Sequence, residues 1–203
     1  MEFNCKKLND RPYWYIKRLF DIIISLVLLI VTLPLLVITV IITICDLGFP
    51  IYNEKRLREG LYKKPFVMYK IRTKKLHSDN LIHRKRYTKL SKLIDWSHLN
   101  EIPQLINILK GDMSFIGPRP FIPGDKLPDV KINDERYMVR PGLTGLAQAR
   151  GGRFLGHKLK LALDVEYYEN FGFLQDAKII LLTPIDLIRQ SNGYYLKKWF
   201  SKK

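Results

Sequence analysis

The sequence predicts an α+β fold, mainly helical, with an N-terminal re-entrant membrane helix-hairpin, a small β-hairpin and amphipathic interfacial helices. Three observations carry that expectation. Residues 22–45 form an apolar run interrupted only by a few hydroxyl residues and by Pro34 near its middle. Phe66-Val67-Met68-Tyr69-Lys70-Ile71-Arg72 alternates as a strand does. Apolar residues recur at helical spacing beyond residue 98. With 203 residues, the chain divides into an anchor, residues 1–46, and one domain, residues 47–203.

The anchor is long enough to enter a bilayer, since about 20 apolar helical residues match a ~30 Å hydrocarbon core. Its flanks decide how it sits. Lys6, Lys7, Arg11, Lys17 and Arg18 precede it; Lys55, Arg56, Arg58, Lys63, Lys64, Lys70 and Arg72 follow it. A simple span carries its excess of Lys and Arg on one side. Two basic flanks fit a segment whose ends both stay on the anionic cytoplasmic face. Pro34 is the expected kink, because it offers no N–H to the carbonyl of Ile30 and its ring crowds that turn. Each half is then roughly 17 Å long, enough to reach the midplane and return. Thr32 is placed to help satisfy a freed carbonyl. A kinked single-pass anchor is the alternative. A cleaved signal peptide is not expected, for the run is too long and no small-residue cleavage site follows.

Past the anchor, Phe49 to Asn53 and Phe66 to Arg72 are expected to pair as the small β-hairpin. Residues 76–98 are polar and basic, and helical in part. Leu99, Ile102, Leu105, Ile106 and Leu109 fall at helical spacing and are read as core. Gly117-Pro118-Arg119-Pro120 and Arg140-Pro141-Gly142 are read as loops. Two amphipathic helices follow, over residues 159–171 and 174–189, with Ile179 to Leu182 expected in the membrane interface. The tail from Tyr194 to Phe200 mixes aromatics with lysines as interfacial segments do; a frayed basic terminus is the other reading.

The net charge of +16 favours anionic partners: lipid headgroups, nucleotides, diphosphates or nucleic acid. The basic residues are dispersed and form no known nucleic-acid motif, so a membrane-tethered nucleic-acid or lipid-binding module is the weaker reading. Cys5 and Cys45 build no disulfide framework, which points to a reducing, cytoplasmic setting. His77, His83, His98 and His157 lack metal-ligand spacing and are assigned no role. Asp112 and Asp164 are read as structural, through capping or ion pairing.

Three stretches carry candidate chemistry. In Leu99-Asn100-Glu101-Ile102-Pro103-Gln104-Leu105, Asn100 is the expected N-cap, with Glu101 at the first helical position and Pro103 where no backbone bond is lost. A carboxylate there sits beside the positive end of the helix dipole. A capped core helix with a solvated Glu101 fits the same pattern. In Leu109 to Pro120, Arg119 stands between two prolines that stiffen its loop and preorganise the guanidinium for phosphate or carboxylate; a structural ion pair is the alternative. In Arg140-Pro141-Gly142-Leu143-Thr144-Gly145-Leu146-Ala147-Gln148, a Pro-Gly turn brings backbone N–H groups close to a ligand.

In this order, behind a proline-broken membrane helix, these stretches resemble the monotopic phosphoglycosyl transferases, bacterial sugar transferases that begin the assembly of surface polysaccharides and glycoconjugates. The resemblance extends from about Lys17 to Arg189 and includes Lys17-Arg18-Leu19-Phe20-Asp21, Tyr69 to Thr73 and Leu163 to Asn170. It implies transfer of a sugar phosphate from a UDP-sugar to polyprenyl phosphate with Mg²⁺, at the inner leaflet of the bacterial cytoplasmic membrane and facing the cytoplasm. By the same resemblance, Glu101 holds Mg²⁺, while Lys70, Arg72, Arg119 and Arg140 neutralise phosphate groups. The family also implies a re-entrant helix, with Ser-Pro where this chain has Leu33-Pro34.

Two departures bear on activity. The family has Asp-Glu where this chain has Asn100-Glu101, and the Asp is the nucleophile; Asn100 has no ionisable carboxylate for that step. An arginine commonly stands where Asp95 aligns. Three explanations are open: an engineered substitution, a natural member that binds without turnover, or Glu101 acting as nucleophile. The sugar cannot be read from the sequence. Oligomeric state is open too, since the amphipathic faces can dock on lipid or on a second copy.

Overall fold

A computed structural model describes residues 8, 10–52, 56–76, 87–124 and 132–184. Helix α1 (Pro12–Leu47) begins with proline in its first turn, where the missing N–H costs nothing, and continues without interruption through Pro34. Among the described residues it is the one helix long and apolar enough to cross a bilayer. Its exterior inverts that of a soluble helix. Ile23, Val27, Ile30, Val31, Leu33, Val37, Ile38 and Ile41 are exposed, while Asp21, Ser25, Thr39 and Thr43 are buried. The hydroxyls of Ser25, Thr32, Thr39 and Thr43 each donate to the carbonyl four residues back, at 2.6–2.8 Å. A polar group in lipid needs such an internal partner. Thr32 bonds Leu28 rather than Ile30, so it does not relieve the carbonyl that Pro34 leaves without a donor.

The hairpin differs from the expected one. Strands β1 (Leu57–Glu59) and β2 (Pro65–Val67) pair antiparallel, with Arg58 opposite Phe66. The expected partner segment contributes only an isolated bridge, Tyr52 to Ile71. Helix α2 (Lys89–Trp96) starts with a reciprocal cap, Thr88 accepting from Ser91 N at 3.0 Å and Ser91 Oγ accepting from Thr88 N at 2.9 Å. His98, at φ 57°, then reverses the chain into a 3₁₀ turn over Leu99–Glu101. Helix α3 (Gln104–Lys110) follows, with Pro103 as its N-cap residue. Asn100 is therefore no N-cap. Its backbone lies inside the 3₁₀ turn and its amide faces another side chain. The expected core stripe shifts as well, to Leu105 and Ile108, leaving Ile106 exposed.

Strand β3 (Ser114–Ile116) pairs parallel with β4 (Gly142–Thr144), so the Pro-Gly loop ends in a short strand that the loop composition hid. The two meet at glycines. A Cβ on Gly117 would lie 2.1 Å from the Arg140 carbonyl oxygen, one on Gly142 2.2 Å from Gly117 N, and one on Gly145 2.1 Å from Gly117 O. Only glycine permits that approach. Beyond α4 (Leu146–Ala149) and α5 (His157–Glu169), helical residues 173–184 form α6.

One core joins Trp14 of α1 to Ile116, Val139, Leu146, Leu163, Tyr167, Phe171 and Ile179; a second gathers Phe66, Leu105, Ile108 and Met113. Ile179 is thus core rather than interfacial, and Leu182 is partly buried against it; Phe173, Leu174, Ile180 and Leu181 are the exposed apolar residues of α6. Asp176 of α6 closes the seam with α1, accepting from Tyr13 Oη at 2.7 Å, Lys17 Nζ at 2.5 Å and Tyr167 Oη at 2.8 Å. Residues 77–86, 185–190 and 194–200, with the expectations placed on them, lie outside the described residues.

Candidate active site

The buried Asn107 positions the site from below. Its Oδ1 accepts from Tyr69 N at 2.9 Å, and its Nδ2 donates to Val67 O at 2.8 Å and to Asp112 at 3.2 Å. One side chain of α3 thereby holds the end of β2 and the segment after it that carries Lys70, and Asp112 has the structural task expected of it. The backbone adds a second tie, Ile71 N to Asn100 O at 2.9 Å. These bonds bring Lys70 onto the 3₁₀ turn, where its Nζ reaches Glu101 Oε1 at 2.6 Å.

His98 Nδ1 stands 3.7 Å from the same oxygen. Burial pushes the Glu101 carboxyl up, but its interactions with His98 and Lys70 outweigh that and hold it down at about 2. In return the Glu101 contact raises the His98 pKa against the opposing effect of burial. Glu101 is ionised at neutral pH, and its side chain keeps 25% of its accessible surface. His98 was assigned no role from spacing; the left-handed turn that aims it at Glu101 has no sequence signature.

Asn100 is 0% exposed. Its Nδ2 donates to Asp95 Oδ1 at 3.1 Å, and its Oδ1 has no hydrogen-bond partner among the described residues. Asp95, half-buried at the end of α2, also accepts from Thr73 Oγ1 at 3.1 Å through the same oxygen.

The arginines part company. Arg72 is buried and donates to the carbonyls of Pro50, Lys74, Leu47 and Gly48 at 2.8–3.1 Å. The expected phosphate role is thus corrected: its guanidinium clamps the exit of α1 to the body. Arg140 donates through Nε to Gly111 O at 3.0 Å and lies over the Trp14 ring at 4.7 Å, at the C-terminal end of α3 and away from Glu101. Arg18 caps that same end, donating to Ile108 O and Leu109 O. Arg119 is exposed, and its guanidinium makes no hydrogen bond or ion pair with any described residue. Its backbone carbonyl accepts from the buried Arg136, which pairs with Asp164 at 3.6 Å. Lys70 and Glu101 therefore meet, Arg119 is left on the surface of the glycine-locked loop, and Arg72 and Arg140 serve the seam with α1.

Among the described residues no three His, Cys, Asp or Glu side chains cluster tightly enough to cage a metal. Mg²⁺ does not require a cage; it takes one or two protein oxygens and completes its shell with substrate phosphates and water. The partly exposed Glu101 carboxylate supplies hard oxygens of that kind, whereas Asn100 is sealed from solvent.

The sequence profile of the bacterial sugar transferases matches residues 12–190. The uncharacterized sugar transferase EpsL of Bacillus subtilis is 39% identical over 173 residues, which are 83% of this chain and 85% of that protein. A UDP-glucose:undecaprenyl-phosphate glucose-1-phosphate transferase of Caulobacter vibrioides is 34% identical over 154 residues, 69% of this chain and 58% of its own length. The undecaprenyl-phosphate galactose phosphotransferase of Salmonella typhimurium is 29% identical over 209 residues, 92% of this chain but 43% of that protein. The chain thus spans most of the first relative and about half of the other two. With the profile covering the long apolar helix, the 3₁₀ turn before α3 and both glycine-locked loops, the chain belongs to the bacterial sugar transferase family.

Proposed function

We propose that this chain transfers a sugar-1-phosphate from a UDP-sugar to polyprenyl phosphate at the cytoplasmic face of the bacterial inner membrane, the first membrane step of surface glycan assembly. The observation that carries this is the shoulder of Lys70, Glu101 and His98 beside Asn100, built onto a body whose first helix is apolar outside. Lys70 and the exposed Arg119 supply positive charge for the phosphates of donor and acceptor. Mg²⁺, when bound through Glu101, would supply further neutralisation of the diphosphate. Lys70 then turns from Glu101 to phosphate oxygens, which its flexible stem permits.

The anchor is read as re-entrant. A straight helix of this length would span about 54 Å. Yet Arg18 near one end holds Ile108 and Leu109, and Arg72 holds the other end while its neighbour Ile71 bonds Asn100. The tight backbone from Asn100 to Ile108 covers roughly 12–16 Å. A bend at Pro34 brings both ends back to one face and keeps the pocket at the headgroups, where polyprenyl phosphate presents its charge.

Release of UMP from UDP-glucose or UDP-galactose by the reconstituted chain, dependent on undecaprenyl phosphate, is the expected result. A second reading, binding without turnover, is favoured by the sealed, non-ionisable Asn100. Retention of donor and lipid with no UMP released would select it.

A further inference from the structure

Transfer through a covalent enzyme intermediate needs a side-chain oxygen to attack the diphosphate, and Asn100 offers neither a carboxylate nor exposed surface. Two carboxylates adjoin it. Glu101 is held by Lys70 at 2.6 Å with His98 beside it, so its charge is already opposed by two cationic groups. Asp95 differs. Both hydrogen bonds it receives, from Asn100 Nδ2 and Thr73 Oγ1, fall on Oδ1; Oδ2 accepts from no described residue, and the side chain is only half-buried. One oxygen is positioned by two donors while the other is left available, an arrangement that orients a nucleophile without blocking it.

We propose that Asp95 is the attacking carboxylate of this chain, with Asn100 and Thr73 as the positioning residues that hold it. The proposal rests on the transfer reading above. Asp95 Oδ2 forms a bond to the sugar-bearing phosphorus of the UDP-sugar. The bond from that phosphorus to the bridging oxygen breaks, and its electron pair leaves with UMP. A phosphate oxygen of polyprenyl phosphate then attacks the same phosphorus. The Asp95–phosphorus bond breaks, the carboxylate is regenerated, and the sugar remains on a polyprenyl diphosphate. No proton transfer and no redox partner is required. Lys70 and Arg119 offset the charge gathered at the two phosphates.

The test uses the full chain in lipid nanodiscs with UDP-glucose and UDP-galactose. Without lipid acceptor, intact-mass analysis is expected to find one added hexose phosphate, which peptide sequencing places on Asp95. Asp95→Asn is expected to lose the adduct and to lower UMP release about 10³-fold or more. A melting curve of Asp95→Asn in detergent that matches that of the unmodified chain is expected, and excludes misfolding as the cause. An adduct on Glu101, or full UMP release by Asp95→Asn, would overturn the proposal and leave the transfer reading standing. No UMP from the unmodified chain with either donor, in the presence of undecaprenyl phosphate, would overturn that reading and the proposal with it.

Discussion

Along the seam between α1 and the body, cations bond to backbone carbonyls: Arg18 to Ile108 and Leu109, Arg72 to four carbonyls, Arg140 to Gly111. In the shoulder before α3, cations meet a side-chain carboxylate instead, Lys70 and His98 converging on Glu101. Lys70 and Arg72 stand two residues apart and belong to opposite regimes. A guanidinium fork satisfies several fixed carbonyls at once and is lost to chemistry thereby; an ammonium on a flexible stem can exchange one oxygen for another. The presence of basic residues in a motif does not distinguish the two. Their neighbours do.

The contrast can be broken from either side. In the shoulder, Glu101→Gln keeps the shape and removes the charge. Transfer by the folded fraction is expected to fall about 10²- to 10³-fold, beyond what the lost contacts to Lys70 and His98 take from stability, as when one electrostatic contact to a reacting group is removed. UMP release and a melting curve in detergent together check this, and a variant that merely unfolds would refute it. At the seam the pattern reverses. Arg72→Met strands buried carbonyls and is expected to destabilise the protein by about 3 kcal/mol or more, while the folded fraction keeps its KM for the nucleotide sugar. A raised KM at unchanged stability would return Arg72 to the phosphate site.

The smallest effect is in pH. Glu101 titrates in the fold at about 2, below its ordinary 4.5, so its contribution to stability is complete above 4.5 and is lost as pH falls towards 2. His98 is raised above 6.5, so its contribution is present below 6.5 and disappears as pH rises through the raised value. With 57% of its side chain exposed, solvent screens the His98 part to below about 1 kcal/mol. His98→Gln is expected to flatten the alkaline limb of the stability profile and leave the acid limb in place, which unfolding midpoints at graded pH would reveal.

Much of this was legible in the sequence, for identifiable reasons. The apolar run and the basic residues on both its flanks are local facts, and a long helix needs little else. The Pro-Arg-Pro and Pro-Gly segments declare loops through backbone restriction alone, and the family motif names Lys70 and Glu101 without saying that they meet. What escaped notice depended on contacts distant in sequence. The partner of β2 is set by register with β1, not by the more apolar Phe49 to Asn53. The parallel pairing of β3 with β4 arises because Gly117, Gly142 and Gly145 admit a backbone crossing, and a glycine in a loop does not announce what approaches it. Asn100 looks like a helix cap because Asn usually caps; a left-handed residue before it moved the helix start to Pro103 and turned its amide towards Asp95. The fate of Arg72 depended on where α1 ends, which hydropathy locates only within a few residues.

The clamp of Arg72 on Leu47 and Gly48 has a mechanical corollary. One residue, Ile71, separates Arg72 from Lys70, and it is fastened to Asn100. A helix whose apolar length differs from the local hydrocarbon thickness responds by tilting. Any tilt at the foot of α1 is therefore delivered, through a few rigid bonds, to the ammonium proposed to meet the sugar donor. On the proposed function, acyl-chain length is expected to set the rate of transfer, for the acceptor lipid would arrive in the same medium that tilts the helix.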